Sequence, residues 1–214
     1  MDKIQCETIV FDFNGTIVDD VDICWNMLNR LLTQCGHPTV TKETYLSIFT
    51  FPIIEYYRRA GFVFPKDDFD ELAIDFDKTY NAKFKTLHTF PDVKEVLKYF
   101  SNKRLVLLSA SKQTNLYRQL NFLGLEGVFN DIVGIQDIYA TSKLESGKRF
   151  FEENPMDMEK VVFVGDTLHD NEVALALGGK SILIARGHQN TKVLSQAKNA
   201  LILPTLEDLK TILR

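Results

Sequence analysis

Apolar residues bunch into short runs with almost no polar alternation at positions 8–11, 105–109, 132–134, 161–165, 181–185 and 200–203. A strand covered on both faces reads this way, because neither face is left for polar side chains. Between the later runs, apolar positions recur at helical spacing over 114–123, with Leu116, Leu120 and Leu123, and again over 143–153, 171–177 and 191–198. Leu206, Leu209, Ile212 and Leu213 continue the pattern as a docking helix. Strand then helix, repeated, predicts an α/β fold: a doubly wound parallel sheet with helices on both faces.

The rhythm breaks between Thr16 and Arg104, a passage with no good strand and far longer than the dozen or so residues a crossover needs. An inserted unit is expected there. Its first helix is predicted from Asp19 or Asp20 as cap through Val21, Trp25, Leu28, Leu31 and Leu32, closing at Gly36 with Pro38 just beyond. Further helices are predicted over 44–49, over 53–60 ending at Gly61, and from 68 to about 85 with Phe69, Leu72, Phe76 and Tyr80. Pro91 marks the return, and 92–99 is a helix leading into the second strand. The expected division is a Rossmann-like core domain of residues 1–16 and 89–214 and an all-helical cap domain of residues 17–88.

Composition narrows the classes of function. Hydrophobic residues at 45% and charged residues at 25% are ordinary globular usage, which excludes a disordered or fibrous chain. The net charge of -4 is spread along the sequence, so neither nucleic acid nor an anionic membrane is an expected partner. No apolar run approaches the roughly 18 residues of a membrane span, and the N-terminal residues are unfit for a secretory signal. A cytoplasmic protein is expected. Cys6, Cys24 and Cys35 are odd in number and form no Cys-x-x-Cys, so they read as buried thiols rather than disulfides or a zinc site. Oligomeric state leaves no trace in the pattern.

Candidate chemistry sits at two strand ends. Ile9, Val10 and Phe11 run straight into Asp12, Phe13, Asn14, Gly15 and Thr16, placing a carboxylate where ligands bind in open parallel sheets. Taken alone, Asn14-Gly15 between apolar residues also reads as a hairpin turn. A hairpin does not account for the second acidic cluster, where the run 161–165 leads into Asp166, Thr167, Leu168, His169 and Asp170. Taken alone, that cluster also reads as a helix cap with a favourable dipole. If both strand ends meet at one sheet edge, three carboxylates converge, and a cation or protonation must relieve their repulsion. Hard oxygen ligands in that number suit Mg2+, which commonly bridges carboxylates to a phosphate.

With these motifs the sequence resembles the haloacid dehalogenase superfamily over nearly its whole length, in particular its phosphoglycolate-phosphatase-like branch with a small helical cap. The resemblance implies that Asp12 is a nucleophile forming an aspartyl phosphate, and that Asp12, Asp166, Asp170 and the backbone carbonyl of Asn14 hold magnesium. It implies that Ser109, at the end of the run 105–109, binds phosphoryl oxygens. It assigns Lys143, within Ser142, Lys143, Leu144 and Glu145, to offset charge on Asp12 and the phosphoryl group. Leu144 stands where the family usually has proline, which leaves Lys148 as a weaker rival. Thr16 is expected to support the loop and to hydrogen-bond the nucleophile. The implied substrate is a small phosphorylated metabolite.

One residue departs from the family. Two positions after the nucleophile most of these phosphatases carry a second aspartate that protonates the leaving oxygen, and here Asn14 stands instead. An amide cannot shuttle a proton, and general acid–base assistance is typically worth ~10² to 10⁴ in rate. A working phosphatase therefore needs a good leaving group or another relay, such as His169 or a cap residue. Two further readings stay open: a weakened or inactive phosphate-binding or regulatory protein, and a phosphonate or haloacid hydrolase of the same superfamily, although the Asp166–Asp170 pair favours the magnesium-dependent members. The segment 51–59 mixes aromatic residues with Arg58 and Arg59, a composition that fits either an anionic substrate or a packed amphipathic helix.

Overall fold

The computed structural model describes residues 3–135 and 142–214. Strands β1 (Thr8–Phe11), β2 (Arg104–Lys112), β3 (Asp131–Ile135), β4 (Val161–Gly165), β5 (Lys180–Ile184) and β6 (Ala200–Leu203) form one sheet in the order β3-β2-β1-β4-β5-β6. Every neighbouring pair is parallel. The missing polar alternation has its cause in the packing. Ile9 and Phe11 point into the larger core with Leu105, Leu107, Val162 and Val164. Val10 points into the core on the opposite face with Val106, Leu108 and Phe163.

Helices α1 (Val21–Gln34), α2 (Lys42–Ile48), α3 (Ile53–Ala60) and α4 (Phe69–Ala82) come from the inserted segment. Local chemistry delimits them: the Asp68 side chain accepts from the backbone N–H groups of Asp70 and Glu71 to start α4, and α3 stops at Gly61, whose φ of 117° suits a residue without Cβ. The chain leaves and re-enters the core by two connections lying side by side. Asp19 N donates to the His88 carbonyl at 3.0 Å and Phe90 N to the Ile17 carbonyl at 3.2 Å. The core adds α5 (Val93–Tyr99), α6 (Gln113–Phe122), α7 (Lys143–Glu153), α8 (Leu168–Leu177), α9 (Thr191–Leu194) and α10 (Leu209–Ile212).

Differences from the expected elements are local. Strand β2 runs on to Lys112, with a register shift between Leu108 and Lys112 that bends its end beside the site. Helix α9 is shorter than expected: past Leu194 the chain tightens into i→i−3 turns, Gln196 N donating to the Val193 carbonyl at 3.0 Å and Ala197 N to the Leu194 carbonyl at 2.9 Å, before Asn199 turns the backbone to a φ of 53°. The C-terminal helix is likewise confined to Leu209–Ile212. Helix α8 begins three residues early, at Leu168, because Thr167 and Asp170 form a reciprocal capping box. Among the described residues no helix is long and apolar enough to cross a membrane, and all three cysteines are free thiols.

Candidate active site

The site lies where the strand order reverses, between β1 and β4, outside their carboxyl ends. Asp12 N donates to the Val164 carbonyl at 2.8 Å, extending the β1–β4 ladder by one residue and fixing the Asp12 carboxylate at that seam. Asp166 follows β4 directly and is fully buried, and Asp170 is held one turn into α8. Carboxylate oxygens of Asp12, Asp166 and Asp170 lie within 4.8 Å of one another. Both strand ends therefore meet at one edge, and no hairpin forms at Asn14-Gly15.

Each carboxylate is held by the chain. Thr16 Oγ1 donates to Asp166 Oδ1 at 2.9 Å, and His188 N donates to Asp166 Oδ2 at 2.7 Å. Thr16 was expected to reach the nucleophile; it turns instead to Asp166, because the tight turn at Gly15 carries its side chain towards β4. Gly15 adopts a φ of 72°, and a Cβ there would sit 2.3 Å from Asp166 Oδ2, so the loop closes on that carboxylate only with glycine. Asp170 Oδ2 accepts from Thr167 N at 2.9 Å and Thr167 Oγ1 at 2.6 Å.

Lys143, the first residue of α7, is buried and donates from Nζ to Asp12 Oδ1 and, at 2.5 Å, to Asp170 Oδ1. Its rival Lys148 is exposed and pairs with Glu145 at 2.9 Å. Ser109 is buried in the bent end of β2, where its Oγ accepts from Ser111 N at 3.1 Å and borders the same cavity as Asp12. Lys143→Met would leave Asp12 and Asp170 without their shared cation. A loss of about 3–5 kcal/mol in metal-free stability is expected, measured by denaturant unfolding in EDTA.

Burial dominates the titration. It raises Asp12 to about 8, because the pull of Lys143 is smaller than the desolvation and Asp170 and Asp166 repel the charge. Burial likewise raises Asp166 to about 6 against the attraction of His188. At Asp170 burial is outweighed by Lys143 and the Thr167 hydrogen bond, and the carboxyl is held below its usual range. Lys143 pairs with only two of the three acids, and the donor set is all oxygen. That combination fits a hard divalent cation such as magnesium. The backbone carbonyl of Asn14 accepts no hydrogen bond among the described residues, so it too is free to serve as a ligand.

Asn14 is bound at both ends of its amide. Its Nδ2 donates to Asp20 Oδ2 at 2.7 Å and contacts the Tyr80 hydroxyl at 2.7 Å, while its Oδ1 accepts from Ser111 Oγ at 3.1 Å. Asp20 is fully buried, and although it precedes α1 its side chain makes no capping bond. It accepts from Gly15 N at 3.0 Å and from the Tyr80 hydroxyl at 2.7 Å, and its Oδ1 lies 3.2 Å from His188 Nε2. Burial works against the charge of both partners, but their attraction outweighs it: Asp20 is held low and His188 rises to about 9. Tyr45 of α2 closes the network, its hydroxyl 2.6 Å from His188 Nδ1. Asp20, Tyr45, Tyr80, Ser111 and His188 are site residues that the sequence patterns did not single out. His188 had one legible signal, a polar residue just beyond an apolar strand run at the same sheet edge.

His169 borders the cavity beneath Phe51, with ring centroids 4.5 Å apart, and burial depresses its pKa below the usual histidine value. Arg58 and Arg59 are exposed, and Arg58 pairs with Glu55 rather than facing the cavity. The basic part of the segment 51–59 is thus solvated surface, and its aromatic part faces inward.

Fold and site together define an α/β enzyme with an acidic centre at the carboxyl edge of its sheet, roofed by an inserted helical cap. Residues 9–184 match the haloacid dehalogenase-like hydrolase family, and the chain belongs to that family. It is similar to the phosphoglycolate phosphatase of Synechococcus elongatus, 24% identical over 205 residues covering 95% of each chain. The phosphoglycolate phosphatase of Pseudomonas savastanoi pv. phaseolicola is 22% identical over 94% of this chain and 77% of its own. Among solved structures, a haloacid dehalogenase-like family hydrolase from Streptococcus pneumoniae superposes with a TM-score of 0.81 at 20% identity, covering 96% of this chain and 98% of that one. A haloacid dehalogenase-like protein from Agrobacterium tumefaciens gives 0.77 at 20% identity over 97% of both chains.

Proposed function

We propose that the protein hydrolyses a small phosphate monoester through an aspartyl phosphate on Asp12, with Mg2+ as cofactor. The observation that carries this reading is the convergence of Asp12, Asp166 and Asp170 within 4.8 Å, with Lys143 joining the first and third. Asp12, the only member of the triad not fully sequestered, presents its carboxylate to the cavity and attacks phosphorus. Lys143 and the Ser109 hydroxyl hold phosphoryl oxygens and balance the charge developing on them. Thr16 and His188 N keep Asp166 in place, and Thr167 does the same for Asp170. Asp12, Asp166, Asp170 and the Asn14 carbonyl would hold magnesium, which when bound supplies charge neutralisation at the transferring group. The phosphoglycolate phosphatases among the relatives support the choice of phosphate esters. The test is a phosphate-release panel with magnesium or EDTA. Turnover of at least one ester that EDTA abolishes is expected; silence across the panel in magnesium would remove the reading.

Metal and pH are linked in a calculable direction. Asp12 and Asp166 bind their protons more tightly in the folded metal-free protein than in the unfolded chain. The unfolded state therefore binds fewer protons between about pH 4 and pH 8, and metal-free stability falls as pH rises through that window. His188 adds to the decline between about 6.5 and 9, where the folded protein keeps a proton that the unfolded chain has lost. Magnesium binds the carboxylate forms, so its stabilising effect grows with pH. Thermal melts are expected to show a larger magnesium-induced rise in Tm at pH 8 than at pH 5, and equal rises would contradict the linkage.

A further inference from the structure

The cavity above Asp12 has a volume of about 360 Å³. Its floor is the phosphoryl site described above. Its roof comes from the cap: Phe49, Phe51, Tyr56, Phe69, Phe76 and Tyr80 line it, and the cap lends it no lysine, arginine or histidine. The only charged side chains the cap places on the wall are acidic, Asp20 and Asp77. From the core, Lys112 reaches the wall beyond the phosphoryl site, with Nζ 3.7 Å from Asp77 Oδ2. Asp20 is paired with His188 and Asp77 with Lys112, so a leaving group bearing its own carboxylate, as glycolate does, would have to break one of these pairs to find a cation beyond the phosphoryl site. A flat, uncharged ring would meet apolar faces instead.

Asn14 imposes a second, independent condition. By resemblance to the family it stands where the acid for the leaving oxygen is usually found, its N–H groups are committed to Asp20 and Tyr80, and an amide gives up no proton at neutral pH. A leaving oxygen that departs as a stable anion meets this condition without any other proton relay. A phenol ionises near about 10, as tyrosine does, and aliphatic alcohols far higher.

Resting on the phosphatase reading above, we propose that the substrates of this site are aryl phosphates, monoesters of a small phenolic hydroxyl. A bond forms between Asp12 Oδ and phosphorus as the bond from phosphorus to the aryl oxygen breaks. The electron pair leaves on the phenolate, which takes its proton from solvent. Water then adds to phosphorus, the bond to Asp12 Oδ breaks with its pair returning to the carboxylate, and the water proton passes to solvent. The products are a phenol and inorganic phosphate. This second step needs less acid assistance, because its leaving group is a carboxylate.

Three monoesters and one acyl phosphate separate the ring from the leaving group: phenyl phosphate, benzyl phosphate, 2-phosphoglycolate and acetyl phosphate, assayed in magnesium with the native protein. Phenyl phosphate is expected to exceed 2-phosphoglycolate in kcat/KM by at least ~10²-fold, the lower range of general acid assistance. Benzyl phosphate is expected to compete for the site but turn over at least ~10²-fold more slowly. Acetyl phosphate is expected to turn over with a raised KM. A preference for 2-phosphoglycolate, or equal turnover of phenyl and benzyl esters, would overturn the substrate class while leaving the phosphatase reading intact. Turnover of none of the four would overturn both.

Discussion

Asp12→Asn is expected to lower phosphate release by at least ~10⁴-fold while the protein stays folded. The amide keeps an oxygen that can accept from Lys143 but is no nucleophile towards phosphorus. Folding should not suffer, because the substitution removes one of three buried acids that repel one another and whose own burial opposes ionisation. Metal-free Tm at pH 8 is therefore expected to equal or exceed that of the native protein, and the magnesium-induced rise in Tm to shrink because one ligand has lost its charge. Kinetics and melts on the same preparation check both. Turnover within tenfold of native would remove Asp12 as the nucleophile, and a collapsed fold would show that the carboxylate is structural.

The second large effect concerns the pair Asn14 and Asp20. Restoring the family's acid by Asn14→Asp alone sets two carboxylates against each other, since the present amide nitrogen is 2.7 Å from Asp20 Oδ2. One must stay protonated, and a stability loss on the order of 3 kcal/mol is expected from the broken buried pair. Asp20→Asn on its own takes the counter-charge from His188 and is also destabilising. The double variant Asn14→Asp with Asp20→Asn reverses donor and acceptor while keeping the contact, so a favourable coupling of about 1–3 kcal/mol is expected in the double-mutant cycle. It also places a carboxyl at the leaving oxygen. Turnover of 2-phosphoglycolate is then expected to rise by ~10² to 10⁴ over the native protein. Stability that is unchanged in Asn14→Asp alone, or strictly additive in the cycle, would show that the two side chains do not constrain each other.

The sheet and the acidic triad were legible because their signals are local. Asp12 and Asp166 each end an uninterrupted apolar run, and a parallel sheet brings such ends to one edge. Lys143 was legible only through its place in the order of motifs, since an isolated lysine ahead of a helix carries no chemical signal. Asp20 does stand at the N-cap position of α1, as the pattern placed it, but its side chain makes no capping bond and serves the site instead. Its partners here are Tyr80, 60 positions on, and His188, 168 positions on, and no local pattern encodes such a meeting. Thr16 was read towards the wrong carboxylate for a related reason: the Gly15 turn, which decides the direction of that side chain, is set by the approach of Asp166. In the segment 51–59 the mixture of aromatic and basic residues was visible, but which of them faced inward was settled by the packing of α3.

The most direct measurement is acid quenching of the protein during turnover of radiolabelled acetyl phosphate in magnesium, followed by peptide mapping. Label retained on the peptide containing Asp12, stable in acid, released by hydroxylamine and absent in Asp12→Asn, is the result expected. Label on another residue, or phosphate release with no protein-bound label under single-turnover conditions, would contradict transfer to Asp12.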